Sequence, residues 1–216
     1  MTVHPSIRFA GRTWTVKTST VPVGPGPNLY RAERVRVDTA GRLQLSIDVA
    51  PSGWSCAEVV ALGEFGYGRY RWTVGSDLTG LDLHAVIGLF TWSDRPAQAN
   101  RELDIEFSRW GDSAPPVAGG FTVQNAAPPR GFRFTAATGR SAHTLVWTCG
   151  KVAFHSEFGA VAHEWSHAGS DVPTPGGGVA PRINLWLFRG QAPSGRQSVT
   201  IEDFTYRPPP PTPTRG

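Results

Sequence analysis

Two cysteines, one methionine and two lysines are all that the 216 residues contain of those types, and each shortage excludes something. Cys56 and Cys149 allow at most one bridge and fit no paired-cysteine metal pattern, so neither a disulfide framework nor a thiolate zinc site is expected. With Lys17 and Lys151 as the only lysines, the positive charge rests on scattered arginines. A formal charge of +4 without a Lys/Arg run tracks no phosphate backbone, which argues against nucleic acid as a partner. No stretch approaches the roughly 18 consecutive apolar residues of a membrane span, so no membrane partner is expected. Met1-Thr2-Val3-His4-Pro5 lacks the charged-then-apolar layout of a secretory signal. Stretches with helical periodicity are few.

What the chain does hold is turn residues and flat rings. Gly (25) and Pro (19) punctuate the whole length, and 39% hydrophobic residues suffice for a core. Between the turn signals lie short runs rich in Val, Ile, Thr and aromatics, at 13–18, 34–38, 41–49, 57–62, 68–75, 85–92, 102–110, 120–125, 131–134, 143–148, 151–155, 182–188 and 197–206. Thirteen strands at this spacing predict one all-β domain over residues 1–206, two large antiparallel sheets packed face to face. Residues 207–216, with four consecutive prolines, cannot donate ladder hydrogen bonds and read as an extended tail or linker. Eight tryptophans supply core bulk, and also stacking platforms for sugars or bases.

The most informative segment is Glu102-Leu103-Asp104-Ile105-Glu106-Phe107, where acid and apolar residues alternate with the period of a strand. Leu103, Ile105 and Phe107 then face the core, while Glu102, Asp104 and Glu106 share the other face. Such alternation also marks an ordinary solvent-facing strand. Three carboxylates with no interposed cation repel one another, however, and a structural surface would mix signs. Phe90, Trp92 and Trp110 stand nearby in sequence. Acids beside flat rings suit glycoside hydrolysis, in which one carboxyl protonates the leaving oxygen while another attacks the anomeric carbon. Positions 102 and 106 lie about 13 Å apart along a strand. Inward-leaning side chains leave about 5 to 7 Å between carboxyls, which brackets the roughly 5 to 5.5 Å of a retaining enzyme. Asp104, midway, separates the protonation of its neighbours.

Glu102-Leu103-Asp104-Ile105-Glu106 resembles the signature of the family 16 glycoside hydrolases in its five-residue form without a bulge. Cys56-Ala57-Glu58, Phe65-Gly66-Tyr67-Gly68-Arg69-Tyr70, Gly88-Leu89-Phe90-Thr91-Trp92, His143-Thr144 with Trp147, and Ile183-Asn184-Leu185-Trp186 follow the family's order, so that the resemblance spans roughly residues 30 to 206. It implies a β-jelly-roll whose concave sheet forms a cleft for a β-glucan or related polysaccharide. By position it makes Glu102 the nucleophile, Asp104 its assisting acid and Glu106 the general acid/base. Glu58, Phe90, Trp92, Asn184 and Trp186 would line sugar subsites. No cofactor is expected for catalysis; a structural calcium is, with Gly41 and Asp203 at two ligand positions. The family also implies a secreted, monomeric protein. Asn100, Val60 and the run Val123-Gln124-Asn125-Ala126 depart from lichenases, which usually carry an aromatic ring, an arginine and a tyrosine there. The departures leave the acids intact and put the identity of the glycan in doubt.

Two other readings compete. A jelly-roll that binds glycan without cleaving it would tolerate the missing subsite residues but gain nothing from like charges under the sugar. His163-Glu164-Trp165-Ser166-His167 matches the HExxH zinc-protease pattern. On a helix starting after Ser156 the two histidines would share a face; on the strand that the resemblance implies they lie about 13 Å apart and share no metal. No Gly and His follow at metzincin spacing, and no Glu lies within about 30 residues downstream to supply a third ligand. His4, His84, His143 and His155 form no recognisable triad, and Gly176-Gly177-Gly178 lacks the Lys-Ser/Thr of a phosphate loop.

Overall fold

Alternation of apolar and polar residues organises the chain into strands throughout, and the computed structural model describes residues 4–98, 101–125 and 128–210. In chain order the strands are β1 (Ser6–Phe9), β2 (Arg12–Val16), β3 (Leu29–Tyr30), β4 (Val35–Val37), β5 (Leu43–Ala50), β6 (Gly53–Ala61), β7 (Gly68–Val74), β8 (Ala85–Trp92), β9 (Leu103–Ser108), β10 (Ala118–Val123), β11 (Arg130–Thr135), β12 (Ser141–Thr148), β13 (Lys151–Phe158), β14 (Val161–Ala168), β15 (Ala180–Leu187) and β16 (Gln197–Arg207). One layer runs β11-β10-β9-β8-β15-β6 and continues through β2 to β1; the other runs β5-β16-β7-β12-β13-β14, with β4 along β5. The β5–β6 hairpin joins them: residues 43–47 of β5 pair with β16, whereas 48–50 pair with β6. Pairing is antiparallel except between β3 and β6. This is the expected jelly-roll.

The core lies between the layers. Phe121, Ile105, Leu89, Ile183 and Val59 stand side by side across β10, β9, β8, β15 and β6, and all are fully or almost fully buried. Because side chains alternate along each strand, their neighbours in sequence must point to the opposite face, which is how one strand serves both core and site. Trp14, Trp72 and Trp147 are the largest side chains sealed in the core. The indole N–H of Trp14 donates to the Phe9 carbonyl at 3.1 Å and that of Trp147 to the Pro173 carbonyl at 2.9 Å, so burial leaves neither donor unpaired.

Thirteen expected strands correspond to observed ones, and β8 coincides end to end. Strands β1, β3 and β14 are additional. The last disposes of the helical version of the HExxH segment: it is a strand paired with β13, with His155 opposite Glu164 and Val152 opposite His167. His163 stacks on Phe134 with ring centroids 4.4 Å apart, and His167 stacks on Trp165 and contacts Asp171 at 2.7 Å. Both rings serve packing rather than a shared metal. The domain end expected at Tyr206 falls one residue inside β16, and residues 211–216 of the tail lie outside the described residues.

At Gly119 on β10 an added Cβ would lie 2.3 Å from the Phe134 ring and 2.8 Å from the Phe107 ring. Gly119→Ala is expected to destabilise the fold by about 1–3 kcal/mol through overpacking. A urea titration should show a lower midpoint with unchanged slope, and an unchanged midpoint would mean that the two rings yield freely.

Candidate active site

The face of the first layer turned away from the core carries the acids. Asp104 and Glu106 project from β9, and Glu102 stands one residue before the strand, its carbonyl accepting from the Gln124 backbone N–H at 3.0 Å. Glu106 is flanked by Gly88 on β8 and Gly120 on β10, so no side chain stands beside it on either neighbouring strand. Beyond Gly88 the row continues through Asn184 on β15 to Glu58 on β6. One step along, Asp104 faces Phe90, then Arg182, then Val60. A cavity of about 380 Å³ opens over these rows, lined by Glu58, Phe90, Trp92, Asp94, Glu102, Glu106, Arg182 and Asn184, with Lys17, Gly24 and Pro25 at one side.

Burial dominates the protonation of the acid row. Asp104 is 2% exposed. Burial pushes its carboxyl well above the ordinary range, the charges of Glu102 and Glu106 push it further, and Gln124 opposes them only in part. Its Oδ2 has no hydrogen-bond partner. For Glu106, burial and the charge of Glu102 raise the carboxyl to about 7 against the opposing pull of Arg133. Glu102 is also raised by burial, but the Asp104 hydrogen bond and the Arg182 charge resist the shift, while Glu58 adds to it. The arrangement therefore keeps a proton on Asp104 and, near neutral pH, one on Glu106 about half of the time. At Glu102 the Asp104 hydrogen bond and the Arg182 charge favour the anion against burial.

No protein-family model and no curated protein sequence matches the chain. Solved structures do. The Bacillus licheniformis β-glucanase superposes with a TM-score of 0.69 at 17% identity, over 94% of this chain and 95% of its own. A prokaryotic β-1,3-1,4-glucanase (lichenase) derived from a mouse hindgut metagenome gives 0.66 at 20%, over 96% and 100%. A family 16 endo-glucanase from Bacteroides ovatus, in complex with G4G3G-2F-DNP, gives 0.66 at 15%, over 90% and 94%. The chain has the fold of the family 16 β-glucanases.

Within that family 16 fold the expected site residues fall as follows. Glu58, Phe90, Trp92, Glu102, Glu106 and Asn184 line one cavity, and Asp104, buried between Glu102 and Glu106 in the chain, is not among its lining residues. Trp186 does not join them. It stands on the same face of β15 as Asn184, yet it is 7% exposed. Its ring meets Trp110 at 6.2 Å, and the loop around Gly26 lies against it, a Cβ on Gly26 falling 3.6 Å from the indole. The loop is held down by Asn28, whose amide donates to the Pro25 and Leu187 carbonyls. The structure thus places Trp186 against Trp110 and the Gly26 loop and outside the lining of this cavity. Asn100 and Ala126 lie outside the described residues.

The calcium expectation turns on the donors near Gly41 and Asp203. Gly41 lies in the turn from Asp38 to Arg42, and Asp203 is an exposed residue just past the end of the β5–β16 ladder at Leu43–Ile201. Asp38, the carboxylate of that turn, already accepts from the backbone of Ala40 and Arg42 and from the side chains of Arg42 and Gln44. Calcium takes six to eight oxygens, and among the described residues no group of three or more His, Cys, Asp or Glu could hold a metal ion. Both cysteines are free, Cys56 buried and Cys149 exposed.

Three charged residues of the cavity escaped the sequence reading: Lys17, Asp94 and Arg182. Glu58 is 1% exposed and held from both sides, by Lys17 at 2.8 Å and by Arg182 at 3.0 Å. Lys17 also donates to the Gly24 carbonyl. Arg182 could have been noticed, since it lies two residues before Asn184 on one strand and must share its face. Lys17 and Asp94 have no such signal.

Trp186→Ala is expected to lower stability by about 3–5 kcal/mol through the cavity that it leaves. Denaturant titration decides the point, and a variant of wild-type stability with weakened glycan binding would restore the ring to the substrate.

Proposed function

We propose that this protein is a retaining, endo-acting β-glucan hydrolase or transglycosylase. The observation that carries the reading is the buried acid row, three carboxyls at alternate positions on one face with Glu102 and Glu106 lining the cavity. Glu102 acts as nucleophile: its carboxylate attacks the anomeric carbon, the glycosidic C–O bond breaks, and Glu106 delivers its proton to the leaving oxygen. Glu106, now anionic, then removes a proton from water or from an acceptor hydroxyl, whose oxygen displaces Glu102 and regenerates both groups. Asp104, buried between them and protonated, donates toward Glu102 and spares the row a third negative charge. Gly88 and Gly120 leave room beside Glu106 into which the side chains of Asn184 and Arg133 reach. Phe90 and Trp92 offer apolar ring surface on which a pyranose can lie. Glu58, spent on Lys17 and Arg182, shapes the cavity more than it binds.

A panel of mixed-linkage β-1,3-1,4-glucan, β-1,3-glucan and galactan tests the reading, with NMR of the first product's anomer. Retention is expected, and inversion would remove Glu102 from the role of nucleophile. Glu102→Gln should lower turnover by several orders of magnitude while the fold and glycan binding persist; unimpaired turnover ends the assignment. Binding without release of reducing ends would mark a glycan-binding module instead.

The pH profile supplies a separate check. Glu106 must be protonated to act as acid, so kcat/KM should fall as pH rises through about 7. Glu102 must be ionised, so activity should also fall on the acid side, at a pH above that of an ordinary glutamate because burial raises this carboxyl. Glu106→Gln should abolish the alkaline limb together with most of the activity on unactivated glycans. An alkaline limb that survives this substitution would belong to another group.

A further inference from the structure

One side of the cleft is built as a chain of polar contacts that the acid chemistry does not use. The Trp92 indole N–H donates to Asp94 Oδ1 at 3.2 Å, Asp94 Oδ2 accepts from Arg182 Nη2 at 2.6 Å, Arg182 Nη1 donates to Glu58 Oε1 at 3.0 Å, and Glu58 Oε2 accepts from Lys17 at 2.8 Å. The chain crosses from the end of β8 over β15 and β6 to the residue after β2. Its middle is the dry part: the side chains of Arg182 and Glu58 are 7% and 1% exposed. Asp94, at 80%, is wet. Arg182 Nε is buried with no partner.

We propose that Arg182 is a positioning residue of this cleft: its guanidinium ties Glu58 to Asp94, fixes the Trp92 ring through Asp94, and sets a buried positive charge in the cavity that Glu102 shares. The inference rests on the reading of Glu102 as nucleophile.

Three observations support it. Arg182 is the cross-strand partner of Val60, the position at which the family resemblance leads one to expect an arginine beside Glu58, so the guanidinium reaches Glu58 from the neighbouring strand instead. A planar fork with two usable N–H edges can bridge two carboxylates, which an ammonium cannot do with the same geometry. Trp92 lies one residue beyond the Thr91–Leu103 pair, on the strand flanking β9, so whatever holds Trp92 also holds the ring that stands beside Glu102. The charged groups around Glu102 are Asp104 and Glu106 on its own strand, Glu58 on β6, Arg182 on β15, Asp94 after β8, Lys17 after β2 and its chain neighbour Arg101; Arg133 on β11 acts on Glu106. Of the cations, Arg182 is the one that opposes the effect of burial on Glu102, which gives its removal a definite sign.

The test compares Arg182→Met, Arg182→Lys and Asp94→Asn with the wild type on a glycan that the wild type cleaves. Arg182→Met should move the acid limb of kcat/KM upward by about one pH unit, the size expected for losing one opposite charge, and should raise KM as Trp92 is released. Arg182→Lys keeps the charge but cannot span both carboxylates, so the limb should stay while KM rises several-fold. Asp94→Asn should raise KM without any upward movement of the limb. A limb that does not move in Arg182→Met overturns the electrostatic part, and an unchanged KM in Arg182→Lys overturns the positioning part, which also covers the case in which Arg182→Met fails to fold. ¹³C NMR titration of the glutamate carboxyls, with Glu102 assigned from Glu102→Gln, reads the same midpoint without turnover. Failure of the catalytic reading, a wild type that cleaves no glycan, is thus distinguishable from failure of this one, a Glu102 midpoint indifferent to Arg182.

Discussion

The structure turns on the burial of like charges. Three carboxyls at alternate positions on one strand face cannot all be ionised in a site that water only partly reaches, because each would raise the energy of the others. Without a cation in the row, the system settles this by holding protons, on Asp104 most firmly and on Glu106 next. That outcome is also what the proposed chemistry demands: one anion, one proton donor, and a third acid that adds no charge. The repulsion that would cost stability thus sets the protonation pattern that the proposed chemistry uses.

A strand with such a face can exist because its other face is strongly held. Leu103, Ile105 and Phe107 are wholly buried, and Phe107 meets Phe134, His143 and Phe158 with ring centroids 4.9 to 5.9 Å apart. His143 itself is fully buried between Ser141 and Ser156, at 2.9 Å from each hydroxyl, and burial drives its pKa down to about 3. It stays neutral at any working pH and adds no charge behind the acids. The alternation that exposes an acid to the cleft inserts an apolar side chain into this packing at the next position, so the spacing of the acids inherits the rigidity of the core.

The acid row was legible in the sequence because everything that defines it is local: period two, charge and apolarity in strict exchange. The all-β, two-sheet architecture was legible for a related reason, since turn residues mark strand ends without reference to partners; the jelly-roll followed from the family resemblance. Strand β14 was harder, because its inward positions are His163, Trp165 and His167, rings that pack like hydrophobes but read as polar or catalytic in a string. Trp186 shows a different limit. Its alternation gave the correct face of β15, but the loop held over it by Asn28 comes from more than 150 residues away in the chain, and nothing local announces that cover. Lys17, Glu58, Asp94 and Arg182 likewise belong to four separate segments, and only strand register brings them together.

Register also explains how a site can keep its charge while its sequence drifts. A side chain on a sheet has as neighbours the residues two places along its own strand and those directly opposite on the two adjoining strands. A guanidinium beside Glu58 can therefore come from position 60 on β6 or from position 182 on β15, which lies opposite position 60. The two solutions place similar charge in similar space yet look unrelated when strings are compared. They are not equivalent in what else they reach. From β15 the guanidinium lies between Glu58 and the strand that carries Trp92, and it can pair with Asp94. An arginine at position 60 would have β15 interposed between itself and β8. Moving the charge by one strand thus couples the cleft wall to the ring beside Glu102.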